Sequence, residues 1–354
     1  MLNRVDRLRQ AMEKAGLEAA LVTSRENMRY LSGFTSADAV VVVTMRDCLL
    51  FTDFRYTIQA KEQSPDCTLV EITYANLKEK VRDALVQSGA KRCGFEQTHM
   101  NVADYEEYRE MPVALVPFAS EITSLRLIKT AEEIENLSTA QQMADKAYAA
   151  LLERVHPGMT EREVVAELNY LCEKAGSEGP SFDPIVGSGP NGAMCHAVPG
   201  ERRLQKGDLV VVDFGCMYNG YHSDMTRTFG VEEADDISRR VYDIVLEAQL
   251  RTLDALKAGM TGGELDAVAR DYIASQGYGD CFGHGLGHGF GLEIHEAPRA
   301  GKNSADVLLA GTTITVEPGI YIPDKFGVRI EDLAIITEFG IINAVKSQKS
   351  LIII

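Results

Sequence analysis

Lys206-Gly207-Asp208-Leu209-Val210-Val211-Val212-Asp213 is one half of the most informative pattern in this chain, because a similar copy follows about a hundred residues later. That copy reads Ala310-Gly311-Thr312-Thr313-Ile314-Thr315-Val316-Glu317. In both copies an acid at the tip of an apolar strand follows the turn glycine by six positions, and a further strand then carries a second acid, Asp224 or Glu331. Two similar halves therefore predict one oxygen-rich site built from four carboxylates.

A second repeat, Gly-Met-Thr-x-x-Glu, supports the same division. It occurs at 158–163 and again at 259–264, each time after a predicted long helix and before a strand that ends in an acid. The threonine and the glutamate three residues later are typical of a capping box at a helix start, and Thr130 with Glu133 forms another. Capping boxes are common, so only the hexamers and the strands together predict two βα halves around a shared site.

Composition limits the class of protein. A length of 354 residues is enough for two domains with separate cores. The net charge of −16 argues against nucleic-acid binding, which needs clustered Lys and Arg. Seven scattered cysteines without a C-x-x-C pair favour reduced thiols over a disulfide framework. The N-terminus predicts an amphipathic helix and no signal peptide, and no apolar stretch reaches the roughly 20 residues of a membrane span. We expect a cytoplasmic protein without membrane or nucleic-acid partners.

The first third of the chain predicts an α/β domain, in which helices and apolar strands alternate. A helix is predicted over about 76–88 and a strand over 93–96. The boundary is placed where the run 125–129 leads into the strong helix start at Thr130. We therefore predict one domain over 1–124 and a second over 125–354.

The acids of the first copy fit a hairpin. Asp213 and Asp224 stand eleven residues apart with two glycines between them. Across a hairpin the register decides which way a side chain faces, so both acids can face one side. In the second copy Pro318 ends the strand after Glu317, because proline cannot donate a hydrogen bond within a central ladder.

A partner strand is predicted over 328–333, with Arg329 and Glu331 on one face. Acids within strands are costly to bury unpaired, and a pair of divalent ions removes that cost. For any single acid, an exposed hairpin or an ion pair with Arg227 or Arg329 is the simpler explanation. For the whole set in apolar strands, a metal pair explains the pattern better, and a histidine among carboxylates favours manganese, cobalt or zinc.

That histidine is expected in the run Gly283-His284-Gly285-Leu286-Gly287-His288-Gly289, close to His295. Its glycines allow close backbone approach and leave the imidazoles unobstructed. The run has no Gly-Lys-Ser/Thr and does not open a Rossmann unit, so nucleotide binding is rejected. His196 lies alone in the preceding loop, 191–200. The other three histidines, His99, His156 and His222, are assigned to ordinary structural positions.

At these residues the chain resembles the pita-bread metallopeptidases, namely aminopeptidase P, prolidase and, more distantly, methionine aminopeptidase. The motifs that carry the resemblance are Asp213-Phe-Gly, Gly220-Tyr-His-Ser-Asp224-Met-Thr-Arg227-Thr, Gly287-His288-Gly, His295-Glu296-Ala-Pro298, Glu317-Pro-Gly and Arg329-Ile-Glu331-Asp332. The resemblance covers the whole chain. It implies an α/β (α+β) fold, in which a creatinase-like N-terminal α/β domain precedes a pita-bread catalytic domain with internal pseudo-two-fold symmetry.

The resemblance also implies five metal ligands. Asp224 and Glu331 would bridge two ions, Asp213 would hold one of them, and His288 with Glu317 would hold the other. The implied cofactor is two divalent metal ions per subunit, with manganese expected and cobalt or zinc as alternatives.

The implied reaction is hydrolysis of a peptide bond that precedes proline, in a peptide with proline at its second position. Two metals lower the pKa of a water molecule and polarise the scissile carbonyl. Glu317 would carry a proton from that water to the leaving nitrogen. His196 and His295 would stabilise the tetrahedral intermediate and hold the substrate. Arg329 would orient the bridging carboxylates from behind.

Further residues are assigned to the substrate site by the same resemblance. Tyr321 and Phe182 would help to line the proline pocket, and His284 would bind substrate or support the ligands. Arg299 stands where short prolidases place an arginine for the substrate's carboxyl terminus, although an exposed arginine without a role is an equal interpretation. Cys195 departs from the family, since many relatives have proline before the loop histidine.

Several hypotheses stay open. An Xaa-Pro aminopeptidase that also takes dipeptides is the favoured hypothesis, and an Xaa-Pro dipeptidase (prolidase) is the alternative. The two differ in what closes the far end of the cleft, which the sequence does not resolve. A non-catalytic pita-bread binding protein is disfavoured, because all five ligand positions carry ligating residues. Methionine aminopeptidase is disfavoured by the N-terminal domain and by the residues between His288 and His295. The resemblance implies a homodimer in which the N-terminal domain of one subunit approaches the partner's cleft.

Overall fold

The computed structural model describes residues 3–354; Met1 and Leu2, part of the predicted first domain, lie outside the described residues. The chain forms two compact units, Met1–Arg126 and Leu127–Ile354. The boundary predicted after Ser124 lies two residues before this division and stays a prediction. Within residues 3–354, no helix combines the length and the apolar character needed to cross a membrane.

The first unit alternates helices and strands. In chain order they are α1 (Arg4–Ala15), β1 (Ala19–Val22), α2 (Arg25–Ser32), β2 (Ala39–Thr44), β3 (Cys48–Asp53), a 3₁₀ turn (Phe54–Tyr56), α3 (Thr57–Gln63), β4 (Thr68–Ile72), α4 (Leu77–Gln87), β5 (Arg92–Phe95), α5 (Val102–Tyr108), β6 (Ala114–Pro117) and α6 (Ala119–Ser124). The predicted helix over 76–88 is α4. The predicted strand over 93–96 is β5, which ends one residue earlier.

One six-stranded sheet holds this unit together, in the order β4-β3-β2-β1-β5-β6. Only β2 runs antiparallel to its neighbours, and the other pairs of this sheet are parallel. The valine run of β2 is almost wholly buried, as expected for a β-branched strand covered on both faces.

The second unit carries the repeated sequences. Its elements are α7 (Ala131–Leu152), α8 (Glu161–Lys174), β7 (Ile185–Ser188), a 3₁₀ turn (Gly189–Ala193), β8 (Leu209–Phe214), β9 (Met217–Tyr218), β10 (Tyr221–His222), β11 (Met225–Gly230), α9 (Asp236–Ala255), α10 (Gly262–Ser275), a 3₁₀ turn (Gly279–Cys281), β12 (Gly287–Gly289), β13 (Glu296–Ala300), β14 (Thr313–Val316), β15 (Gly319–Ile322), β16 (Phe326–Arg329), β17 (Asp332–Thr337), β18 (Gly340–Asn343) and β19 (Ile352–Ile353).

Two halves with a similar order of their main elements make up most of this unit. In the first half, residues 130–230, two helices precede β8, the short hairpin β9–β10, and β11, which pairs antiparallel with β8. In the second half, residues 235–337, two helices precede β14, the hairpin β15–β16, and β17, which pairs antiparallel with β14. The repeat seen in the sequence is therefore a repeat of structure.

The two Gly-Met-Thr-x-x-Glu hexamers lie at matching places in the two halves. Both begin a helix with a capping box, and the box at Thr130 is also present, so all three predicted helix starts are confirmed. The Gly158 amide donates to the Leu204 carbonyl at 2.9 Å, and the Gly259 amide donates to the Leu308 carbonyl at 2.8 Å. Each hexamer is thus fixed by the same backbone contact to the segment that leads into its central strand.

The continuous strand predicted over 328–333 is wrong. β16 ends at Arg329 and β17 begins at Asp332, because the chain changes its partner strand between them, from β15 to β14. The Glu331 amide leaves both ladders and donates to the Thr226 carbonyl at 3.1 Å. The interruption carries Glu331 from the second half to β11 of the first half.

Candidate metal centre

The four predicted acids lie at one end of the two central strand pairs. Asp213 is the penultimate residue of β8, and Asp224 directly precedes β11. Glu317 directly follows β14, and Glu331 directly precedes β17. In each half the turn of the chain between the paired strands therefore has an acid on both sides.

Three of the predicted ligands form a compact cluster. One ligand atom from each of Asp224, His288 and Glu331 lies within 4.8 Å of the other two. His288 Nε2 stands 3.6 Å from Asp224 Oδ2 and 3.5 Å from Glu317 Oε1, which adds a fourth member. Asp224, His288 and Glu331 are buried, with Glu331 only 1% exposed. A buried group of acids around an imidazole is the arrangement that the sequence predicts.

The fifth predicted ligand, Asp213, is held by an arginine. Arg329 Nη2 donates to Asp213 Oδ2 at 2.5 Å, and both residues are buried. Asp213 Oδ1 is also buried and has no hydrogen-bond partner within residues 3–354. Buried carboxylate oxygens are nearly always paired, so this oxygen indicates a missing cation or donor.

Burial and mutual repulsion disturb the charge of these acids. Burial, then the charges of the neighbouring acids, raises the pKa of Asp224 and of Glu331 well above the ordinary range. Burial also raises the pKa of Glu317 to about 8, with the charge of Asp213 acting in the same direction. Arg329 supplies one positive charge against four carboxylates, so the centre favours additional positive charge.

The imidazole of His288 is neutral and correctly turned for a ligand. Burial, followed by the nearby His295, lowers the pKa of His288 to about 3. Its Nδ1 stands 3.1 Å from the Gly289 carbonyl oxygen, so Nδ1 carries the proton and the unprotonated Nε2 faces the acids. Carboxylate oxygens with one imidazole nitrogen form a donor set that fits manganese, cobalt or zinc. The residues of this centre therefore fit the implied pair of divalent ions.

Two threonines support the acids, and the sequence analysis missed both. Thr226 donates its hydroxyl to Glu331 Oε2 at 2.7 Å, and Thr315 donates to Glu317 Oε1 at 3.1 Å. Thr226 stands two residues after Asp224 and Thr315 two before Glu317, so strand alternation puts each threonine on the face of an acid. That spacing was the signal that could have found them.

Arg329 acts on more than one group. Besides Asp213, it donates through Nε to the Thr226 hydroxyl at 3.0 Å, and through that hydroxyl it reaches Glu331. Arg329 thus contacts Asp213 directly and reaches Glu331, one of the two acids predicted to bridge the metals, only through Thr226. Its Nη1 donates to the Cys195 carbonyl at 3.1 Å, in the loop that carries His196.

The centre opens into a cavity of about 670 Å³. Besides the five predicted ligands and Arg329, the cavity wall contains the predicted residues Phe182, His196, His284, His295 and Arg299. The ring of His295 lies 4.3 Å from the ring of His288, measured between centroids. Asp183 and Cys195 also line the cavity, and neither was assigned a role from the sequence.

Tyr321, which is predicted to help line the proline pocket, contacts two residues of the cavity wall, Arg329 and His284. It is not among the described residues that line the cavity. Arg329 Nη1 donates to its hydroxyl at 2.7 Å, and the hydroxyl lies 2.9 Å from His284 Nε2. His284 Nδ1 stands 2.7 Å from the Gly285 carbonyl, so Nδ1 carries the proton and Tyr321 donates to Nε2. Burial, with the charge of Arg329, lowers the pKa of His284 to about 4 and keeps it neutral.

The loop of His196 depends on a buried acid that the sequence analysis treated only as part of a capping motif. Glu161 is fully buried and accepts the Ser188 amide at 2.9 Å, the Ser188 hydroxyl at 2.7 Å and the Gly200 amide at 3.0 Å. The Asn191 amide group also donates to both of its oxygens. One carboxylate therefore fixes both ends of the segment 188–200.

A buried ion pair stands beside the other outer histidine. Lys129 Nζ lies 2.9 Å from Glu296 Oε2, and both side chains are almost completely buried. Glu296 directly follows His295 and also accepts the Glu293 amide at 3.1 Å. The pair fixes the start of β13, and with it the position from which His295 reaches the cavity.

Comparisons with known proteins give matches to both units of the chain. Residues 135–338 match metallopeptidase family M24, and residues 4–128 match the creatinase/prolidase N-terminal domain. The Xaa-Pro dipeptidase of Pyrococcus furiosus is 38% identical, over 99% of this chain and 100% of that protein. A solved Xaa-Pro dipeptidase from Bacillus anthracis superposes with a TM-score of 0.96 at 43% identity, over 99% of each chain. The X-Pro aminopeptidase from Thermotoga maritima gives 0.93 at 34% identity, over all of both chains.

Proposed function

The chain belongs to metallopeptidase family M24 and carries a creatinase/prolidase N-terminal domain, and from this we propose that it hydrolyses the Xaa-Pro bond at the N-terminus of peptides. The membership confirms the predicted fold, a creatinase-like domain followed by a pita-bread catalytic domain, and makes the protein a peptidase. The observation that carries the proposal is the buried cluster of Asp224, His288 and Glu331, with Glu317 in contact.

Five residues would hold the metals: Asp213, Asp224, His288, Glu317 and Glu331. Two divalent ions bound there supply activation of a water molecule and polarisation of the scissile carbonyl. We propose manganese as the native metal, with cobalt and zinc as alternatives, because the donor set combines four carboxylates with one imidazole.

Glu317 is the residue that we assign to proton transfer. Its Oε1 accepts the Thr315 hydroxyl, which leaves Oε2 to take a proton from the attacking water. The nitrogen of an Xaa-Pro bond carries no hydrogen, so proline has to receive a proton before it can leave as an amine. One carboxylate can make this exchange, because it accepts a proton from the water and then returns it to the proline nitrogen.

The outer wall of the cavity would hold the substrate. His196 and His295 are exposed and lie beside the centre, where an imidazole N–H can donate to the carbonyl oxygen as it gains negative charge. Arg299, also exposed on the wall, would pair with the carboxyl terminus of a short substrate. Phe182 would contact the proline ring.

Substrate length separates two versions of the proposal. We favour an aminopeptidase that removes the first residue from a longer peptide and also accepts dipeptides. The alternative is a dipeptidase, which is the activity in the names of the Pyrococcus furiosus and Bacillus anthracis relatives. A homodimer and a cytoplasmic location are further parts of the proposal, the first drawn from the family resemblance and the second from the unbonded cysteines.

The experiment is hydrolysis of an Xaa-Pro dipeptide and an Xaa-Pro-Yaa tripeptide by the manganese-loaded protein, with Xaa-Ala peptides as controls. We expect cleavage between Xaa and Pro, and a loss of about 10³-fold in kcat in Glu317→Gln, the order expected for removal of a general acid–base. Glu338→Gln, an exposed glutamate, is the matched control and should keep full activity.

Cleavage of the dipeptide alone would make the enzyme a dipeptidase. If neither peptide is cleaved with manganese, cobalt or zinc, while the protein binds the metal, the Xaa-Pro assignment is wrong.

A further inference from the structure

Two cysteines of the first unit face each other across neighbouring strands. Cys48 begins β3, and Cys67 directly precedes β4. The two strands are parallel, and their register places Leu49 opposite Thr68. Cys48 and Cys67 therefore stand opposite each other one residue earlier. Adjacent strands lie about 4.8 Å apart, which falls within the Cα separation that a disulfide tolerates.

The two sulfur atoms already touch. The Sγ atoms of Cys48 and Cys67 are 2.7 Å apart, compared with about 2.05 Å for a disulfide bond. Bond formation thus needs a small movement of two side chains and no rearrangement of the strands. Cys172 and Cys216 of the second unit form a second pair, in which a hydrogen bond between the two thiols raises the pKa of Cys172 and lowers that of Cys216.

The surroundings divide the roles of the two thiols. Cys48 is buried and Cys67 half-buried, so a dissolved oxidant meets Cys67 first. The hydrogen bond from Cys67 lowers the pKa of the Cys48 thiol, with a smaller contribution from the charge of Arg9, while burial opposes both. The same hydrogen bond, together with burial, raises the pKa of the Cys67 thiol. A thiol that ionises more readily, held against its neighbour, is suited to complete a disulfide exchange.

We propose that Cys48 and Cys67 are a site of reversible oxidation, at which a low-molecular-weight disulfide such as oxidised glutathione converts the two thiols into an internal disulfide. The Cys67 sulfur gives up its proton as it attacks one sulfur of oxidised glutathione, and the glutathione thiolate that leaves takes up that proton. The Cys48 thiolate then attacks the Cys67 sulfur and releases the second glutathione, which takes up the proton from Cys48. The two cysteines lose two electrons and two protons, and the oxidant gains them.

The bond would close a loop that contains two strongly exposed apolar side chains. Between the two cysteines lie the 3₁₀ turn and α3, where the side chains of Phe54 and Ile58 are 75% and 76% exposed. A cross-link restricts the unfolded chain and so stabilises the folded unit. This inference is independent of the peptidase activity, because the pair belongs to the first unit and none of the residues that we assign to the metal centre takes part.

The test is a count of free thiols in the full chain after treatment with oxidised glutathione, removal of the reagent, unfolding and alkylation. We expect mass spectrometry to find a cross-linked peptide that contains Cys48 and Cys67, with a mass lower by two hydrogen atoms. The melting temperature of the first unit should rise by roughly 5 °C. It should return to its original value after treatment with a dithiol reductant.

Variants distinguish the pair from a general effect of oxidation. Cys48→Ser lacks the second thiol, so Cys67 should keep a glutathione adduct and the thermal shift should vanish. Cys281→Ser, at a half-buried cysteine of the second unit, is the matched control and should still form the cross-link. Wild-type protein that keeps both thiols free, or that accumulates only a glutathione adduct at Cys67, would overturn the proposal.

Discussion

The two Gly-Met-Thr-x-x-Glu hexamers begin equivalent helices, yet the residue that follows the threonine has opposite character in the two halves. In the first half it is Glu161, whose buried carboxylate accepts hydrogen bonds from both ends of the segment 188–200. In the second half it is Gly262, which has no side chain. The same position in the two helix starts therefore holds a buried carboxylate in the first half and no side chain in the second.

Gly262 makes room for a neighbouring strand. A Cβ atom added there would stand 2.0 Å from the Arg299 carbonyl oxygen and 3.0 Å from the Ala300 Cα. β13 can approach the helix start only because this position is glycine. His295 directly precedes β13, and His196 lies in the segment that Glu161 holds. Each half thus places one outer histidine, the first with a side chain and the second by the absence of one.

The largest expected effect comes from removing the acid that each half contributes to the shared cluster. Asp224→Asn and Glu331→Gln should each lower kcat/KM about a thousandfold, because several kcal/mol of transition-state stabilisation depend on the ions. Metal content by mass spectrometry should fall in both variants. If one variant keeps its metal and its activity, the two halves do not contribute equally to the centre.

In the metal-free protein, the same two substitutions should not lower the thermal stability. Burial and neighbouring acids disfavour the charged form of both residues, so a neutral amide relieves repulsion in the folded state. We expect the Tm of the chelator-treated variants to equal or exceed that of chelator-treated wild type. A lower Tm would show that these acids stabilise the fold even without metal.

The second prediction concerns Glu161, the residue that follows the threonine in the first half. Glu161→Ala removes the acceptor for the Ser188 and Gly200 amides, so the loop of His196 should lose its fixed position. We expect kcat to fall about 30-fold, within the range seen when groups behind a catalytic site are removed, with metal content unchanged. Steady-state kinetics and metal analysis check this result.

Glu163→Gln is the matched control for that substitution. Glu163 lies in the same helical turn, is exposed, and its role is the capping box of α8. Its activity should stay within about twofold of wild type, since surface changes of this kind alter stability little. Equal losses in the two variants would mean that the helix start, and not the buried carboxylate, controls the His196 loop.

These two sites show what the sequence could and could not predict. The acids, the capping boxes and the order of elements followed from local spacing, because each depends on residues close together in the chain. The role of Glu161 did not, since its partners Ser188 and Gly200 lie 27 and 39 residues away. The capping motif accounts for Thr160 and Glu163, so it gave no reason to expect a separate role for Glu161 between them.

The sequence also did not determine which residues pair between the two halves. Arg329 of the second half holds Asp213 of the first, and Thr226 of the first holds Glu331 of the second. Only tertiary structure decides such pairs, because the strands that carry them are about a hundred residues apart. The interruption between β16 and β17, which the alternating pattern of 328–333 did not indicate, is what brings Glu331 to Thr226.

The third prediction concerns Gly262, the residue that follows the threonine in the second half. Gly262→Ala places a methyl group against the Arg299 carbonyl, and backbone cannot yield as a flexible side chain can. We expect the free energy of unfolding of the second unit to fall by about 2 kcal/mol, as for other overpacked sites. Urea denaturation followed by circular dichroism measures it. Gly283→Ala is the control, because nothing lies within 4 Å of its added Cβ and the stability should barely change.

The smallest expected effect separates what the two helix starts share from what differs between them. Thr160 and Thr261 each accept the amide of the glutamate three residues later, so Thr→Ala removes one capping bond in each half. Thr160 is buried, at 5% exposure, whereas Thr261 is only half-buried. The amide exposed by Thr160→Ala finds less water to replace its lost partner. We therefore expect the free energy of unfolding to fall by about 1.5 kcal/mol in Thr160→Ala and by about 0.7 kcal/mol in Thr261→Ala.

Denaturation of the two variants side by side measures the difference, and equal losses would show that burial does not distinguish the two caps. The halves would then differ at the helix start only in the residue that follows the threonine, where Glu161 and Gly262 position the two histidines.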